Sequence, residues 1–177
     1  MTPVKPASSD KAIKFWSLAS VVSLFGLIVL GGIVRVTDSG LGCPDWPFCH
    51  GKIIPSTNPS TLIEYTHRVA AAFTALVILV TGGVVWRKYR IQHLLLRPMM
   101  FAAVLLAIQI ILGGLTVITE LEEFLVMAHL TVAEILLALM LIIAVTAWVS
   151  LPVNPISNPA IHLTKEVSLC IMTALVI

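Results

Sequence analysis

Four long apolar stretches, separated by shorter polar segments, run through the chain. They cover residues 15–36, 69–86, 98–119 and 124–149. A helix crosses the hydrocarbon core of a bilayer with about 20 residues at about 1.5 Å of rise each, so each stretch predicts a transmembrane helix. A fifth apolar stretch begins near residue 167 and stops at residue 177, after about half of the length that a span requires. This pattern predicts that the chain is part of a longer protein.

The amino-acid composition places the chain among membrane proteins. Of its 177 residues, 58% are hydrophobic and only 11% are charged, and the mean hydropathy is +1.01. Such a chain has too few polar side chains to cover the surface of a soluble domain. The first apolar stretch is too long for a cleaved signal peptide and lacks a small-residue cleavage site. The predicted fold is therefore an all-α membrane protein, a four-helix transmembrane bundle followed by the start of a fifth helix.

Positive charge alternates along the polar segments and predicts the orientation of the bundle. The N-terminal tail and the segment after the second stretch carry the basic residues Lys5, Lys11, Lys14, Arg87, Lys88, Arg90 and Arg97. The loop after the first stretch has a single lysine, and the loop after the third has three glutamates and no basic residue. Lysine and arginine concentrate on the cytoplasmic side of membranes. We therefore expect a bacterial plasma-membrane protein with a cytoplasmic tail (1–14), a four-helix domain (15–150) with an outer loop (37–65), and a cytoplasmic C-terminal segment with an incomplete helix (151–177).

The outer loop contains the segment GLGCPDWPFCHGK, residues 40–52, whose cysteines and prolines stand out in an aliphatic chain. Cys43 and Cys49 are separated by five residues, which is enough for the loop to turn back on itself. In an oxidising space outside the membrane, paired thiols tend to become disulfides. A zinc site would need two further ligands, and only His50 is adjacent. These residues favour a disulfide over free thiols, and both over a zinc site.

The chain contains an internal repeat of helix, outer loop and helix. The segments LGGIVRVTD and LGGLTVITE align at an offset of 82 positions, and each ends in an acidic residue. In the even-numbered helices, His67 and His129 each precede a tryptophan by 19 residues. The first copy is longer by 20 loop residues, and these include the two cysteines. Matching positions of the two copies are expected to take matching places in the bundle.

The repeat predicts that His67 and His129 lie at similar depth, near the outer ends of the second and fourth helices. Ionisable side chains inside a span are costly and usually serve a function within the bundle. Two imidazoles on facing helices can ligate one haem iron from opposite sides. The double glycines at 31–32 and 113–114 allow a ligand or a neighbouring helix to approach closely. The alternative is that the histidines only form hydrogen bonds between helices and the glycines serve packing alone.

Charged residues near His67 distinguish the first copy from the second. Glu64 lies one turn before His67, where the second copy has Val126. A carboxylate beside an apolar pocket is suited to an acid–base role, and the alternative is an acid that the helix dipole stabilises in the first turn. Arg35 and Arg68 lie near the outer boundary. They are predicted to pair with haem propionates or to extend towards lipid headgroups.

These motifs together resemble a known family of membrane enzymes. The run GGIVRVTDSGLGCPDWPFCHG, followed by IEYTHR and then by LGGLTV and AHL, resembles heme A synthase, which acts in cytochrome oxidase assembly. The resemblance extends from the first helix through the fourth, and SGLGCPDWPFCHG with a downstream ExxHR is a specific combination. The family typically has eight helices in two four-helix halves. The resemblance therefore implies the N-terminal half and the start of the fifth helix.

The resemblance implies an oxidoreductase that converts haem O to haem A by oxidising a ring methyl group to a formyl group. It implies that His67 and His129 are the axial ligands of the substrate haem and that Glu64 is the catalytic carboxylate. It also implies a disulfide between Cys43 and Cys49. The expected partners are haem O, the haem O synthase (a farnesyltransferase) that makes it, and membrane lipid, with no nucleic acid.

The family's second half is expected to carry a haem b cofactor with its own histidine pair. The remaining histidines of this chain lie in predicted loops and do not replace that pair; they are His50, His93 and His162. If 177 residues were the full length, this chain alone would be expected to bind haem and to need a second chain, by self-association or otherwise, for the oxidation. The preferred interpretation is that the sequence is a truncated member of the family.

Two other classes of function fit parts of the pattern. One is a membrane electron carrier in which both histidines ligate haem b and Glu64 is only structural. The other is a thiol–disulfide oxidoreductase of four helices that acts on quinone through its outer cysteines. The spacing of Cys43 and Cys49 is wider than the CxxC pair that such oxidoreductases usually carry.

Overall fold

The computed structural model describes residue 7 and residues 10–52 and 57–149. These residues form four helices, α1 (Lys11–Val36), α2 (Pro59–Lys88), α3 (His93–Ile118) and α4 (Glu123–Trp148), and no strand. Each helix is long and apolar enough to cross a membrane. The predicted all-α, four-helix membrane fold is confirmed. The predicted start of a fifth helix lies outside the described residues.

Each helix begins before the apolar stretch that predicts it, and α2 and α3 differ most from the pattern. α2 begins ten residues before its apolar stretch, because the side chain of Asn58 accepts a hydrogen bond from the N–H of Ser60 and a proline occupies the first helical position. Glu64 and His67 therefore lie within α2, and Glu64 is past its first turn. His93 is the first residue of α3, whereas the sequence predicted a loop position for it.

The four helices form a ring in which each contacts two neighbours. α1 packs against α2 and α4, and α3 packs against the same two helices, so α2 and α4 lie across the bundle from each other. We call the end that carries residues 37–52 and 57–58 the loop end, and the opposite end, with Arg87, Lys88 and Arg90, the basic end. The helices that carry the two histidines are thus diagonal partners.

The apolar core fills only part of the bundle. Its buried members extend from the middle of each helix to the basic end; they include Ile13, Leu24, Ile78, Val85, Leu95, Met99, Leu106, Leu136, Met140 and Ile143. Hydrogen bonds join α1 to α2 within this region, where the Ser20 and Thr81 hydroxyls lie 2.8 Å apart and Thr81 donates to the carbonyl of Trp16 at 3.0 Å. The core stops short of the histidines, which lie nearer the loop end.

A polar cluster at the basic end joins the start of α1 to the end of α2. The carboxylate of Asp10 accepts hydrogen bonds from the N–H of Ala12, from Lys88 Nζ and from the Tyr89 hydroxyl, each at 2.9 Å. The hydrogen bond from Lys88, followed by that from Ala12, lowers the pKa of Asp10 from 3.8 to about 2. Burial and the neighbouring carboxylate raise the pKa of Tyr89. Asp10 therefore both caps α1 and holds two helices together.

Replacing Asp10 by alanine is expected to lower the free energy of unfolding by about 1 kcal/mol, a typical contribution of an N-cap residue. Because the pKa of Asp10 is lower in the folded protein, its stabilising effect is present above pH 4 and is lost as the pH falls from about 4 to about 2. Asp10→Asn retains a capping side chain but should lack this pH dependence. Thermal unfolding in detergent, followed by circular dichroism, measures both effects. Asp38→Asn is the control, and equal stability of Asp10→Ala and Asp38→Asn would contradict the assignment.

Candidate functional site

His67 lies about two turns into α2 and packs against a glycine of α1. A methyl group placed on Gly31 would lie 3.2 Å from Cε1 of the His67 ring. That separation is shorter than ordinary van der Waals contact, so the imidazole occupies the space that a side chain at position 31 would take. The neighbouring Gly32 has open space around it. Gly31, the first glycine of the pair, therefore leaves the space that the His67 ring occupies.

His129 makes the same contact in the second copy of the repeat. A methyl group on Gly113 of α3 would lie 3.1 Å from Cε1 of His129. The second glycine of this pair, Gly114, lies under the indole of Trp46, which a methyl group would approach to 3.2 Å. The structure thus places both predicted histidines in matching positions, each on the glycine of the preceding helix.

Both imidazoles have a polar atom that the described part of the chain leaves without a partner. Nδ1 of His67 and Nδ1 of His129 are buried and form no hydrogen bond with any described residue. A neutral imidazole has one N–H donor and one acceptor nitrogen, and buried polar atoms of native proteins are nearly always paired. The described residues therefore leave an unsatisfied polar atom on each ring, at matched depth in the bundle.

Glu64 is buried on α2, only 5% exposed, and it pairs with an arginine one turn later. Arg68 Nε donates to Glu64 Oε1 at 2.9 Å. Since α2 has no acidic residue in its first turn, the helix dipole alone does not account for a carboxylate at this depth. The partner that stabilises the charge of Glu64 is Arg68.

The other nitrogens of Arg68 bind the backbone of the outer loop. Nη1 donates to the carbonyls of Asp45 at 2.7 Å and Phe48 at 2.8 Å, and Nη2 donates to that of Cys43 at 2.7 Å. These bonds and the one to Glu64 occupy four of the five N–H groups that an arginine carries. The sequence predicted haem propionates or lipid headgroups as the partners of Arg68. The guanidinium instead binds Glu64 and the outer loop, and one N–H group remains for a further contact.

The outer loop is cross-linked and packed onto the start of α2. Cys43 and Cys49 form a disulfide, so the predicted bond is confirmed. The Asp45 carboxylate accepts hydrogen bonds from the backbone N–H groups of His50 at 2.6 Å and Gly51 at 2.7 Å, which lower its pKa, the bond from Gly51 having the larger effect. A methyl group on Gly42 would lie 2.4 Å from the carbonyl oxygen of Ser60, so the loop approaches α2 as only glycine permits.

The same loop also reaches the second copy of the repeat. Trp46 covers Gly114 of α3, and Gly40 lies against Leu121, which follows α3. A methyl group on Gly40 would lie 3.0 Å from Leu121 Cδ1. The segment that the first copy has in addition to the second therefore contacts both copies at the loop end, above the histidines.

Arg35 is in the last turn of α1, one turn towards the loop end from Gly31. It is exposed, and its side chain forms no hydrogen bond or ion pair with the residues that the structure describes. Because residues four apart share a helical face, Arg35 and Gly31 face the same side of α1. The guanidinium is therefore placed at the loop-end edge of the His67 site.

Sequence reasoning missed two polar residues inside the spans. Gln109 of α3 lies with its Nε2 3.4 Å from Nε2 of His129, and Glu134 is midway along α4. The signal for both was available, because each interrupts an otherwise apolar stretch and each replaces an apolar residue, Leu27 or Ala72, of the first copy.

A groove of about 720 Å³ between α2 and α3 near the basic end is lined by neither histidine.

A family model described as cytochrome oxidase assembly protein, COX15-CtaA, matches residues 14–177. The chain belongs to this family. Three bacterial relatives named heme A synthase are similar to it. The protein of Exiguobacterium sp. strain AT1b is 34% identical over 140 residues, 76% of this chain and 46% of that protein. That of Exiguobacterium sibiricum is 32% identical over 77% of this chain and 46% of its own length, and that of Bacillus pumilus is 29% identical over 74% and 44%.

Membership of the COX15-CtaA family agrees with the resemblance found in the motifs. The chain spans about half the length of the relatives it matches.

Arg68→Lys is expected to loosen the cysteine loop, because a lysine cannot supply the three carbonyl contacts together. Reduction of the Cys43–Cys49 disulfide by dithiothreitol should become about tenfold faster, as a loss of about 1.4 kcal/mol in local stability would produce. Alkylation of the released thiols followed by mass spectrometry measures the rate. Arg35→Lys makes the same exchange at an exposed arginine and should leave the rate unchanged. Equal rates in the two variants would show that Arg68 does not hold the loop.

Proposed function

We propose that this chain forms the substrate-binding half of a heme A synthase and binds haem O between α2 and α4. The observation that carries the proposal is the pair of half-buried imidazoles, His67 and His129, which lie at matching positions on helices across the bundle from each other. Histidine is a usual axial ligand of haem iron, and such sites lie between facing helices of a bundle. Haem O is here the substrate, and its iron is what the two histidines are proposed to hold.

The surroundings of the histidines suit a flat, apolar ligand. The apolar core ends before it reaches them, and the helix faces beside them carry glycine where other residues would project side chains. Gly31 and Gly113 allow the imidazoles to sit close to the backbone of α1 and α3. The cysteine loop covers the loop end through Trp46 and the disulfide. The pocket is therefore proposed to exclude water from the macrocycle.

Glu64 is proposed to be the catalytic carboxylate. It lies three residues before His67 on α2, so it reaches a ligand that His67 holds, and only its Oε1 is bound by Arg68. Oε2 accepts no hydrogen bond from the described residues and is the atom proposed to accept and return protons as the ring methyl group is oxidised to the formyl group. Arg68 orients the carboxylate in a poorly solvated place.

Arg35 is proposed to pair with a haem propionate, because it is exposed at the loop-end edge of the His67 site. Arg68 has one remaining N–H group for the second propionate. Carboxylates are bound well by the planar guanidinium. With the propionates at the loop end, the opposite edge of the macrocycle lies deeper in the bundle.

The membrane and the orientation are proposed from the distribution of charge. The basic end carries Arg87, Lys88 and Arg90, whereas the loop end carries the disulfide, as expected for cytoplasmic and oxidising sides of a bacterial plasma membrane. A haem b cofactor is proposed for the second half of the full-length protein. The haem O synthase that attaches the farnesyl group is the proposed upstream partner.

A second candidate is a bis-histidine haem b electron carrier, which the equivalent placement of the two histidines favours. Haem extracted from the purified protein separates the candidates, because haem O or haem A supports the synthase and haem B alone supports the carrier. A thiol–disulfide oxidoreductase is disfavoured, since Cys43 and Cys49 are only 0% and 2% exposed and a partner thiol needs access to a sulfur atom.

His67→Ala and His129→Ala are each expected to abolish the Soret band of bound haem O, because each removes one axial ligand. Gly31→Ala and Gly113→Ala should weaken haem binding about tenfold, since the added methyl group displaces the imidazole and costs about 1–3 kcal/mol. The affinity for haem O is measured by titrating the purified chain with haem O in detergent. Gly32→Ala has open space for its methyl group and should bind like the unaltered protein. Unchanged titrations in both histidine variants would exclude the pair as ligands.

Glu64→Gln is expected to retain bound haem and to lose most of its conversion to haem A. The fraction of haem A should fall at least about a hundredfold, the usual lower effect of losing a general acid–base group. Chromatography of haem extracted from membranes of haem O-producing cells, expressing the protein at its natural length, gives this fraction. Glu134→Gln changes the other carboxylate inside a span and should have little effect. Normal haem A in Glu64→Gln cells would rule out the proposed role.

A further inference from the structure

Gln109 is a polar side chain in the pocket that the proposed chemistry has not used. It lies on α3 one turn from Gly113 towards the basic end, so both residues face His129. Its Nε2 is 3.4 Å from Nε2 of His129, and its Oε1 is buried without a partner among the described residues. The distance exceeds the usual range for a nitrogen donor. The amide is therefore poorly satisfied by the protein around it.

The repeat shows that this amide is specific to one side of the pocket. The matching residue of the first copy is Leu27, which packs against the apolar core. In the opposite sense, Arg35 of the first copy corresponds to Val117 of the second, which is buried. At these two positions, the first copy has a cation towards the loop end and the second has an amide towards the basic end. In the aligned copies they are eight positions apart, or about 12 Å along the helix axis.

Binding of iron would change the surroundings of Gln109. If His129 coordinates iron through Nε2, that atom no longer accepts a hydrogen bond, and the amide loses its only contact with the ring. A buried amide with no partner is costly. An occupied pocket is therefore expected to supply a partner, and the ligand is the group that arrives there.

We propose that Gln109 selects the substrate by forming a hydrogen bond with a hydroxyl group on the deep edge of the macrocycle. The inference rests on the proposed function, in which Arg35 holds a propionate at the loop end and the opposite edge faces Gln109. Haem O carries an alcohol at the carbon that joins its farnesyl chain to the ring, whereas haem B carries a vinyl group there. An amide can donate to this hydroxyl or accept from it. A site that is built to bind a substrate hydroxyl discriminates against the analogue that lacks it.

The test compares the affinities for haem O and haem B by Soret titration of the purified chain in detergent. A change that weakens the binding of both haems equally leaves the ratio of their two dissociation constants unchanged. In Gln109→Leu and in the nearly isosteric Gln109→Met, the preference for haem O should fall about tenfold, as the loss of one hydrogen bond in a buried site predicts. The farnesyl chain contributes equally before and after the change. Gln92→Leu is the matched control, because Gln92 precedes α3 and its side chain forms no cap hydrogen bond.

The outcomes separate this inference from the proposed function. An unchanged ratio in both Gln109 variants, with binding still dependent on His67 and His129, would overturn the role of Gln109 alone. An equal change in Gln92→Leu would also overturn it. Binding of both haems that survives His67→Ala and His129→Ala would overturn the haem site itself. If the dissociation constant of haem B divided by that of haem O falls only in the Gln109 variants, the result supports selection by the amide.

Discussion

The packing of an imidazole ring against a glycine determines how closely the helices approach each other in the loop-end half of this bundle. It occurs twice, between His67 and Gly31 and between His129 and Gly113. In each case the ring takes the space of a side chain, so the histidine helix lies close to the preceding odd-numbered helix. Because the two pairs sit on opposite sides of a four-helix ring, the rings lie at matched depth, with the apolar core ending below them.

The cysteine loop depends on a second interaction, the guanidinium of Arg68. This single group binds the catalytic candidate Glu64 and three carbonyls of the loop, so the covering segment and the carboxylate share one support. The disulfide limits the conformations of the loop, while Arg68 determines where the closed loop sits on α2. Changes in the loop are therefore expected to reach Glu64 through Arg68, one turn along the same helix.

The two copies of the repeat share their scaffold and differ in their polar residues. The first has Arg35, Glu64 and Arg68, and the second has Gln109 in a place where the first has leucine. A symmetric pocket would present the same groups to both edges of a ligand. The asymmetry places charged groups at the loop end of the bundle and a neutral amide deeper within it.

The four spans, the repeat, the matched depth of His67 and His129 and the pairing of the cysteines could be predicted from the sequence. These properties depend on hydropathy, helical periodicity and spacing, which are local or repeat at a constant interval. The sequence could not predict the partners of Arg68, the packing of Trp46 against Gly114 or the contact of Gln109 with His129. Arg68 and its loop carbonyls are 20 to 25 residues apart, and such contacts depend on the rotation of each helix and the path of the loop. Only the packed bundle determines these, because each helix is rotated to fit the side chains of its two neighbours.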